Sequence, residues 1–264
     1  VIIGGGWTGL LMAKELGART SLSVAILERG GPRNLQSYSA DMDELEYFIR
    51  MHMMQDPSQD AVTLRHGTNG RALPIRQFGA FLPGSGVGGT GEHWGGQCPR
   101  LQPDCFELYS STIARYGEKR LPEDHSLQDW GLTYDEMESH YTRTEQLVGV
   151  TGKAGNLRGT KIEGGNIFEG RRSTEYPNPP TKVPYFSSVF RDAAKSLGYH
   201  PYPAPAAVLS QNYTNPDGIT RTACAFCGFC ERTGCMIGAK AQPTNTLLPL
   251  VQRHKTVSIR PGCT

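Results

Sequence analysis

The chain opens with apolar positions that change in period, and the change predicts a strand, a helix and a second strand. Val1 to Ile3 is a short apolar run, and the segment from Leu10 to Arg19 carries apolar residues at helical spacing. A further apolar run, Leu22 to Leu27, has the length of a buried strand. The order strand, helix, strand is typical of a parallel βαβ unit, so the pattern indicates an α/β fold.

Helical spacing of apolar residues returns at four later places, and one more strand is predicted near the end. The predicted helices lie within 41–54, 129–148, 184–198 and 246–252. Thr133 and Glu136 form a capping-box pattern at the start of the second of these helices. Its glutamates, including Glu138 and Glu145, are expected on a solvated face. The segment 149–184 is rich in Gly, Pro and Asn, which predicts a long surface excursion. Thr256 to Ile259 is expected to return to the first sheet.

The turn between the first strand and helix carries the spacing of a dinucleotide-binding fingerprint. Gly4, Gly6 and Gly9 form G-x-G-x-x-G, in which the glycines allow a tight turn, a close approach to a pyrophosphate and close packing of helix on strand. The phosphates would lie at the helix N-terminus, where free N–H groups favour negative charge. Glu28 follows the second strand at about the distance expected of an acidic residue that binds ribose hydroxyls.

A second glycine-rich stretch, Phe81 to Arg100, contains seven glycines between Gly84 and Gly96. This density is too high for a regular element, and it predicts a loop that wraps a flat or phosphorylated ligand through backbone groups. His93 and Trp94 are the large side chains at its centre. From the residues alone, His93 is a buried hydrogen-bonding group, a proton-handling group or a covalent tether to the ligand.

Four cysteines follow one another within twelve residues. Cys224, Cys227, Cys230 and Cys235 have the spacing C-x2-C-x2-C-x4-C, which is close to the ferredoxin pattern and predicts an iron–sulfur cluster. Three ligands would hold [3Fe-4S] and four would hold [4Fe-4S]. Zinc is the alternative metal, although its sites usually use two separated pairs. Disulfides at this spacing would close small, strained loops. Cys98 and Cys105 are interpreted as ordinary thiols.

Composition narrows the classes of function. The chain has 264 residues and a formal net charge of +2, without a run of Lys and Arg, and no nucleic-acid partner is predicted. No apolar run approaches the roughly 20 residues needed to span a bilayer. The sequence begins inside a predicted strand and ends just after another, so we expect it to be a fragment of a longer protein, without a visible leader peptide.

Taken together, these segments resemble the glucose–methanol–choline (GMC) oxidoreductases, which are flavoproteins that oxidise alcohols. The resemblance rests on GGGWTG with Glu28, on VGGTGEHWGG and on DWGLTYDEMESHY, in that order. EYPNPP, LGYHPYPAPAA and CAFCGFCERTGC are similar to segments in the FAD- and iron–sulfur-containing flavoprotein subunits of the gluconate 2-dehydrogenase type. The resemblance to the GMC oxidoreductases implies that Gly88, Gly89 and Thr90 contact the flavin.

The resemblance also implies an organisation of the chain. We expect an α/β fold with a Rossmann-like FAD-binding region over 1–130, part of a substrate-side region over 131–215, a cysteine-rich cluster loop over 216–245 and a return to the sheet over 246–264. A [3Fe-4S] cluster is favoured over [4Fe-4S]. His93-Trp94 departs from the usual loop, and a similar pair in pyranose oxidases carries covalent flavin, so attachment through His93 is a hypothesis. The family's catalytic residues are expected beyond Thr264, and the catalytic base is therefore unknown.

The implied activity is a FAD-dependent dehydrogenase that oxidises a sugar, sugar acid or polyol and passes electrons through the cluster to a cytochrome or quinone. A small accessory subunit and a multi-haem cytochrome c subunit are expected, with a periplasmic location at the inner membrane through a partner. Two alternatives stay open. One is a GMC flavoenzyme with structural zinc at the cysteines, and the other is an electron-transfer or assembly module without catalysis of its own.

Overall fold

The computed structural model describes residues 1–38, 63–65, 67, 69–74, 83–231 and 233–263. The chain divides into two compact units, which we call the first unit (1–96 with 225–264) and the second unit (97–224). The helix predicted within 41–54 lies outside the described residues. The division predicted from the sequence, with boundaries at 130, 215 and 245, stays a prediction.

Short elements dominate the described part of the chain. In chain order they are β1 (Ile2–Ile3), α1 (Trp7–Arg19), β2 (Val24–Leu27), β3 (Thr63–Leu64), β4 (Leu73–Pro74), α2 (Pro103–Phe106), α3 (Leu108–Tyr116), α4 (Tyr134–Val148), β5 (Asn156–Leu157), β6 (Thr160–Lys161), α5 (Tyr185–Ser196), β7 (Tyr213–Thr214), β8 (Thr220–Arg221), α6 (Pro243–Thr246), α7 (Leu248–Val251) and β9 (Val257–Arg260). Single 3-10 turns cover Leu35–Ser37, Gly89–Glu92 and Glu118–Arg120. None of the helices in this described part is long and apolar enough to cross a membrane.

The first unit is built on a parallel sheet in the order β1-β2-β9. Ile26 in β2 pairs with Ile2 on one side and with Ile259 on the other, and it is fully buried. Leu10 and Ala13 are the fully buried apolar residues of α1, which contacts the sheet and α7. The predicted strand–helix–strand order and the return of the last strand are therefore confirmed, and α1 begins at Trp7 rather than at Leu10.

The helix predicted within 246–252 corresponds to α7, and a separate short helix, α6, precedes it and ends at Thr246. Pro243 and Pro249 each lie in the first turn of one of these helices. Proline has no backbone N–H to donate and its ring excludes the carbonyl one turn earlier, so it starts a helix well and interrupts one that is under way. The apolar spacing was correctly interpreted as helical, and Pro249 sets the break.

Helix α4 of the second unit begins as predicted. Thr133 is its N-cap, with its Oγ1 accepting from the Glu136 amide at 3.3 Å, while the Glu136 carboxylate accepts from the Thr133 amide at 2.7 Å. The prediction that Glu138 and Glu145 lie on a solvated face is wrong, since their side chains are 15% and 4% exposed.

Two buried arginines explain that error. Glu145 makes paired hydrogen bonds with Arg100, both at 2.8 Å, and with Arg172, at 2.6 and 3.1 Å. Glu138 accepts from Arg100 at 2.9 Å. Burial alone would raise the pKa of Glu138, but hydrogen bonds, first from Arg100, lower it to about 2. Both arginines lie far from α4 in the sequence, so helical spacing gave no sign of them.

The pKa of the Cys98 thiol is raised to about 11. Burial is the main cause, and the negative charge of Glu145 adds to it, because both disfavour the thiolate.

The segment 149–184 was predicted to be a long surface excursion, but part of it is buried. Ala154 and Tyr176 are buried, and the Glu169 carboxylate accepts from the Gly155 amide at 2.7 Å. A Cβ on Gly155 would lie 2.1 Å from the Asn166 carbonyl carbon, so glycine allows two backbone segments to touch. The many glycines were interpreted as loops, whereas some of them permit tight packing.

Candidate flavin site and cysteine loop

A cleft of about 600 Å3 lies in the first unit, at the carboxyl end of β1 and β2. The sequence predicted six of the residues that line it, namely Gly4, Gly6, Glu28, Gly88, Gly89 and Thr90. The carboxyl edge of a parallel sheet, beside the N-terminus of the crossover helix, is where dinucleotides bind in folds of this kind. The cleft is therefore the candidate cofactor site.

The fingerprint glycines have the geometry that their spacing predicted. Gly4 has a φ of +94°, which favours glycine. A Cβ on Gly9 would lie only 2.0 Å from the Gly4 carbonyl oxygen, so Gly9 lets α1 start directly against the turn. Gly6 precedes the first helical residue as the N-cap and lines the cleft. This glycine cradle at a helix N-terminus fits a pyrophosphate, because side chains would close it.

Glu28 does more than line the cleft. One of its carboxylate oxygens accepts from the amides of Gly30 at 2.8 Å and Gly86 at 3.2 Å, and the other accepts from the Gly5 amide at 2.7 Å. This carboxylate thus joins three glycine-containing turns. Each oxygen has two acceptor positions, so the oxygen bonded to Gly5 retains one for a ribose hydroxyl. The predicted ribose contact is compatible with this arrangement and stays a prediction.

The second glycine-rich stretch lies against the first. The amides of Val87 and Gly88 donate to the carbonyls of Gly31 and Gly5, at 3.0 and 2.8 Å. We call residues 88–94 the flavin loop. A Cβ on Gly91 would meet the Trp7 indole at 2.4 Å, so the loop packs directly on a ring that also lines the cleft.

His93 and Trp94 lie at the end of this loop and are not among the residues that line the cleft. His93 is buried, with 4% of its surface exposed. The Trp94 ring meets the Trp7 ring edge-on at 5.8 Å, and its indole N–H donates to the Ala241 carbonyl at 2.7 Å. Trp94 therefore packs against Trp7, which lines the cleft. Covalent attachment of flavin through His93 stays a hypothesis.

Glu92 is part of the flavin loop, and its carboxylate is fully buried. It accepts from the Tyr38 hydroxyl at 2.5 Å, the Gln242 amide group at 2.8 Å, and both the amide and the hydroxyl of Thr244 at 3.0 and 2.8 Å. Burial, followed by the Glu92 charge, raises the pKa of Tyr38 well above its usual value, which keeps the phenol protonated as a donor. Glu92 thus joins the flavin loop to the segment after the cysteines.

We call residues 227–235 the cysteine loop. Among the described residues of the whole chain, no three His, Cys, Asp or Glu side chains are grouped so that they could hold a metal ion. Cys227 is exposed, and Cys224, Cys230 and Cys235 are half-buried. The Cys235 sulfur accepts from the Lys240 amide at 3.4 Å. The predicted metal ligation by these cysteines stays a prediction.

Sequence reasoning missed several residues of this site. Trp7 and Arg29 line the cleft next to predicted residues, and Cys263 reaches it from the far end of the chain. Trp7 occupies a variable position of the fingerprint, where the motif carries no information about the side chain. Cys263 follows β9, and its place beside β2 depends on the sheet order.

The chain is similar in sequence to known dehydrogenase proteins. No protein-family model matches the chain. It is 40% identical over 266 residues to the gluconate 2-dehydrogenase flavoprotein of Pantoea cypripedii, covering 98% of this chain and 43% of that protein. It is 28% identical to the fructose dehydrogenase large subunit of Gluconobacter japonicus, covering 81% of this chain and 37% of that protein. The chain thus spans about two fifths of these relatives.

Among solved structures, pyridoxine 4-oxidase from Mesorbium loti matches with a TM-score of 0.46 and 16% identity, over 99% of this chain and 41% of that one. The parallel sheet and glycine-lined cleft define the first unit as a Rossmann-like dinucleotide-binding fold. With the sequence relationship to the flavoprotein from Pantoea, the chain belongs to the GMC oxidoreductase family. The predicted family is confirmed.

Proposed function

We propose that this protein is the FAD-binding part of a dehydrogenase that oxidises an alcohol group of a sugar, sugar acid or polyol. The observation that carries the proposal is the glycine-lined cleft at the end of β1 and β2, whose lining includes six residues predicted to contact a dinucleotide. The 40% identity to a gluconate 2-dehydrogenase flavoprotein supports the substrate class.

The residues of the cleft have distinct roles in this proposal. The turn from Gly4 to Gly9 and the N-terminus of α1 bind the pyrophosphate of FAD, and Glu28 orients the ribose. Gly88, Gly89 and Thr90 bring backbone close to the cofactor, which would accept a hydride from the alcohol carbon. A general base for the hydroxyl proton is not assigned to a residue of this chain.

The first experiment measures bound FAD and turnover on the purified full-length protein that contains this chain. Flavin is extracted and quantified, and reduction of an artificial electron acceptor is followed with gluconate, fructose, sorbitol and glucose. We expect about one FAD per chain and activity with at least one of these substrates. Protein that is folded, holds FAD and oxidises none of them would contradict the proposed substrate class and favour the electron-transfer module.

We further propose that the cysteines bind an iron–sulfur cluster and that the protein works with partner subunits at the periplasmic side of the membrane. The ferredoxin-like spacing of Cys224, Cys227, Cys230 and Cys235 supports the cluster. The name of the fructose dehydrogenase relative, a large subunit, supports an assembly with at least one other subunit. We propose that the partners are a small accessory subunit and a multi-haem cytochrome c subunit.

Metal analysis distinguishes an iron–sulfur cluster from zinc, since cysteine thiolates bind both. On anaerobically purified protein we expect at least three iron and four acid-labile sulfide per chain, with an electron paramagnetic resonance signal of [3Fe-4S] in the oxidised sample. Replacement of Cys230 by Ser tests the site, with Cys105→Ser as the control that should keep its iron. Zinc without iron and sulfide would contradict the cluster and leave a structural metal site.

A further inference from the structure

Lys240 is a buried cation that touches both the cysteine loop and the flavin loop. Its side chain is fully buried, and its ammonium group donates to the carbonyls of Cys230, Thr233 and Trp94, each at 2.7 Å. An ammonium has three N–H donors, and all three are used. Two bonds are to the cysteine loop and one is to the flavin loop, so the position of each loop depends on the other.

Gln242 makes a second, independent connection between the same two loops. Its side-chain oxygen accepts from the Cys235 amide at 2.8 Å, and its side-chain nitrogen donates to the Glu92 carboxylate at 2.8 Å. Gln242 is fully buried. Because one end of the group must accept and the other must donate, only an amide in this orientation satisfies both neighbours.

These connections bury two charged side chains. Lys240 brings a positive charge and Glu92 a negative charge, and both side chains are fully enclosed in the first unit. Each charge is satisfied by its own hydrogen bonds, and removing a partner of a buried charged group costs far more than losing a hydrogen bond at the surface. The loops are therefore tied together by a buried ammonium group and an oriented amide, which allow few alternative arrangements.

Trp94 links Lys240 to Trp7, a residue that lines the cleft. Trp94, whose carbonyl accepts from Lys240 and whose indole donates to Ala241, packs edge-on against Trp7. Trp7 and Gly91 line the cleft. Displacing residues 240–242 would therefore move the surface that a bound flavin contacts. The cysteine loop also packs on Tyr38, since a Cβ on Gly234 would lie 2.1 Å from its ring.

We propose that Lys240 and Gln242 are positioning residues for the flavin cofactor, and that through them the FAD cleft and the cysteine loop are energetically coupled. The proposal rests on the FAD binding proposed above. Coupling between two sites is reciprocal in binding free energy. FAD bound in the cleft therefore steadies the cysteine loop, and removing the bonds that Lys240 or Gln242 makes to that loop weakens FAD binding.

The test compares the wild type with Lys240→Met, which keeps the length of the side chain and removes its charge. Lys255→Met is the matched control, because Lys255 is exposed on the surface of the same unit. FAD affinity is measured by titrating the apoprotein and following flavin fluorescence. Hydrogen exchange of the Cys235 amide is measured with and without FAD, and circular dichroism checks that each variant is folded.

In the wild type and in Lys255→Met we expect FAD to slow exchange of the Cys235 amide at least tenfold. In Lys240→Met we expect FAD affinity to fall about 10- to 100-fold and the FAD-dependent protection to be lost. A merely structural role would raise exchange equally with and without FAD. If Lys240→Met does not fold, Gln242→Glu replaces it, since glutamate still accepts from Cys235 but cannot donate to Glu92.

Two outcomes would overturn the inference. One is a folded Lys240→Met or Gln242→Glu variant that binds FAD with wild-type affinity, and the other is a wild type in which FAD binds without changing exchange at Cys235. Either result leaves FAD binding itself intact. A folded wild type that takes up no FAD would instead overturn the proposed function, and the inference with it.

Discussion

Replacement of Gly9 by Ala is expected to lower FAD affinity at least 100-fold, or to abolish retention of flavin through purification. The new Cβ would lie 2.0 Å from the Gly4 carbonyl oxygen, a distance that no pair of non-bonded atoms tolerates. Gly4 cannot move away freely, because its φ of +94° and its hydrogen bond to the Leu27 carbonyl at 2.8 Å hold the turn. The pyrophosphate site must therefore change shape, and the backbone N–H groups that would bind the phosphates are displaced.

The measurement is the ratio of flavin to protein in the purified variant, followed by titration of the apoprotein with FAD. Gly31→Ala is the matched control, since a Cβ there would meet no atom within 4 Å, although Gly31 also lies in a glycine turn beside β2. We expect Gly31→Ala to bind FAD within about threefold of wild type, well under the 1.4 kcal/mol of a tenfold change. Normal flavin content in Gly9→Ala would show that FAD does not use this turn.

Replacement of Glu145 by Gln is expected to destabilise the second unit by about 3–5 kcal/mol, which is the usual cost of breaking a buried ion pair. Glutamine keeps the size of the side chain but removes the negative charge between Arg100 and Arg172. Those side chains are 3% and 0% exposed, so neither guanidinium can recover its hydration without unfolding. The Arg172 guanidinium also stacks on Tyr176 at 3.7 Å, which keeps it in place.

Urea unfolding followed by circular dichroism measures this effect as a lower midpoint at an unchanged slope. Asp135→Asn in the first turn of α4 is the control. It removes a charge of the same sign from an exposed position, and its favourable interaction with the helix dipole is worth about 0.3–1 kcal/mol. If Glu145→Gln costs no more than Asp135→Asn, the two arginines are not held by this carboxylate in solution.

Local patterns determined the part of this protein whose interactions are close in sequence. The apolar periods around Gly4, Gly6 and Gly9 predicted β1, α1 and β2, because a glycine turn, a helix start and a strand each depend on neighbouring residues. The same is true of the Thr133 cap, in which donor and acceptor lie three residues apart. For the second stretch, glycine density alone indicated a ligand-wrapping loop, and Gly88 and Gly89 do line the cleft.

The tertiary structure decided which polar groups are buried together. Arg100 and Arg172 meet at Glu145 from separate segments of the chain. In the sequence each of these residues is an ordinary charged side chain, for which solvent is the default environment. Its burial becomes favourable only when a partner of opposite charge arrives with hydrogen bonds, and the fold alone brings those partners together.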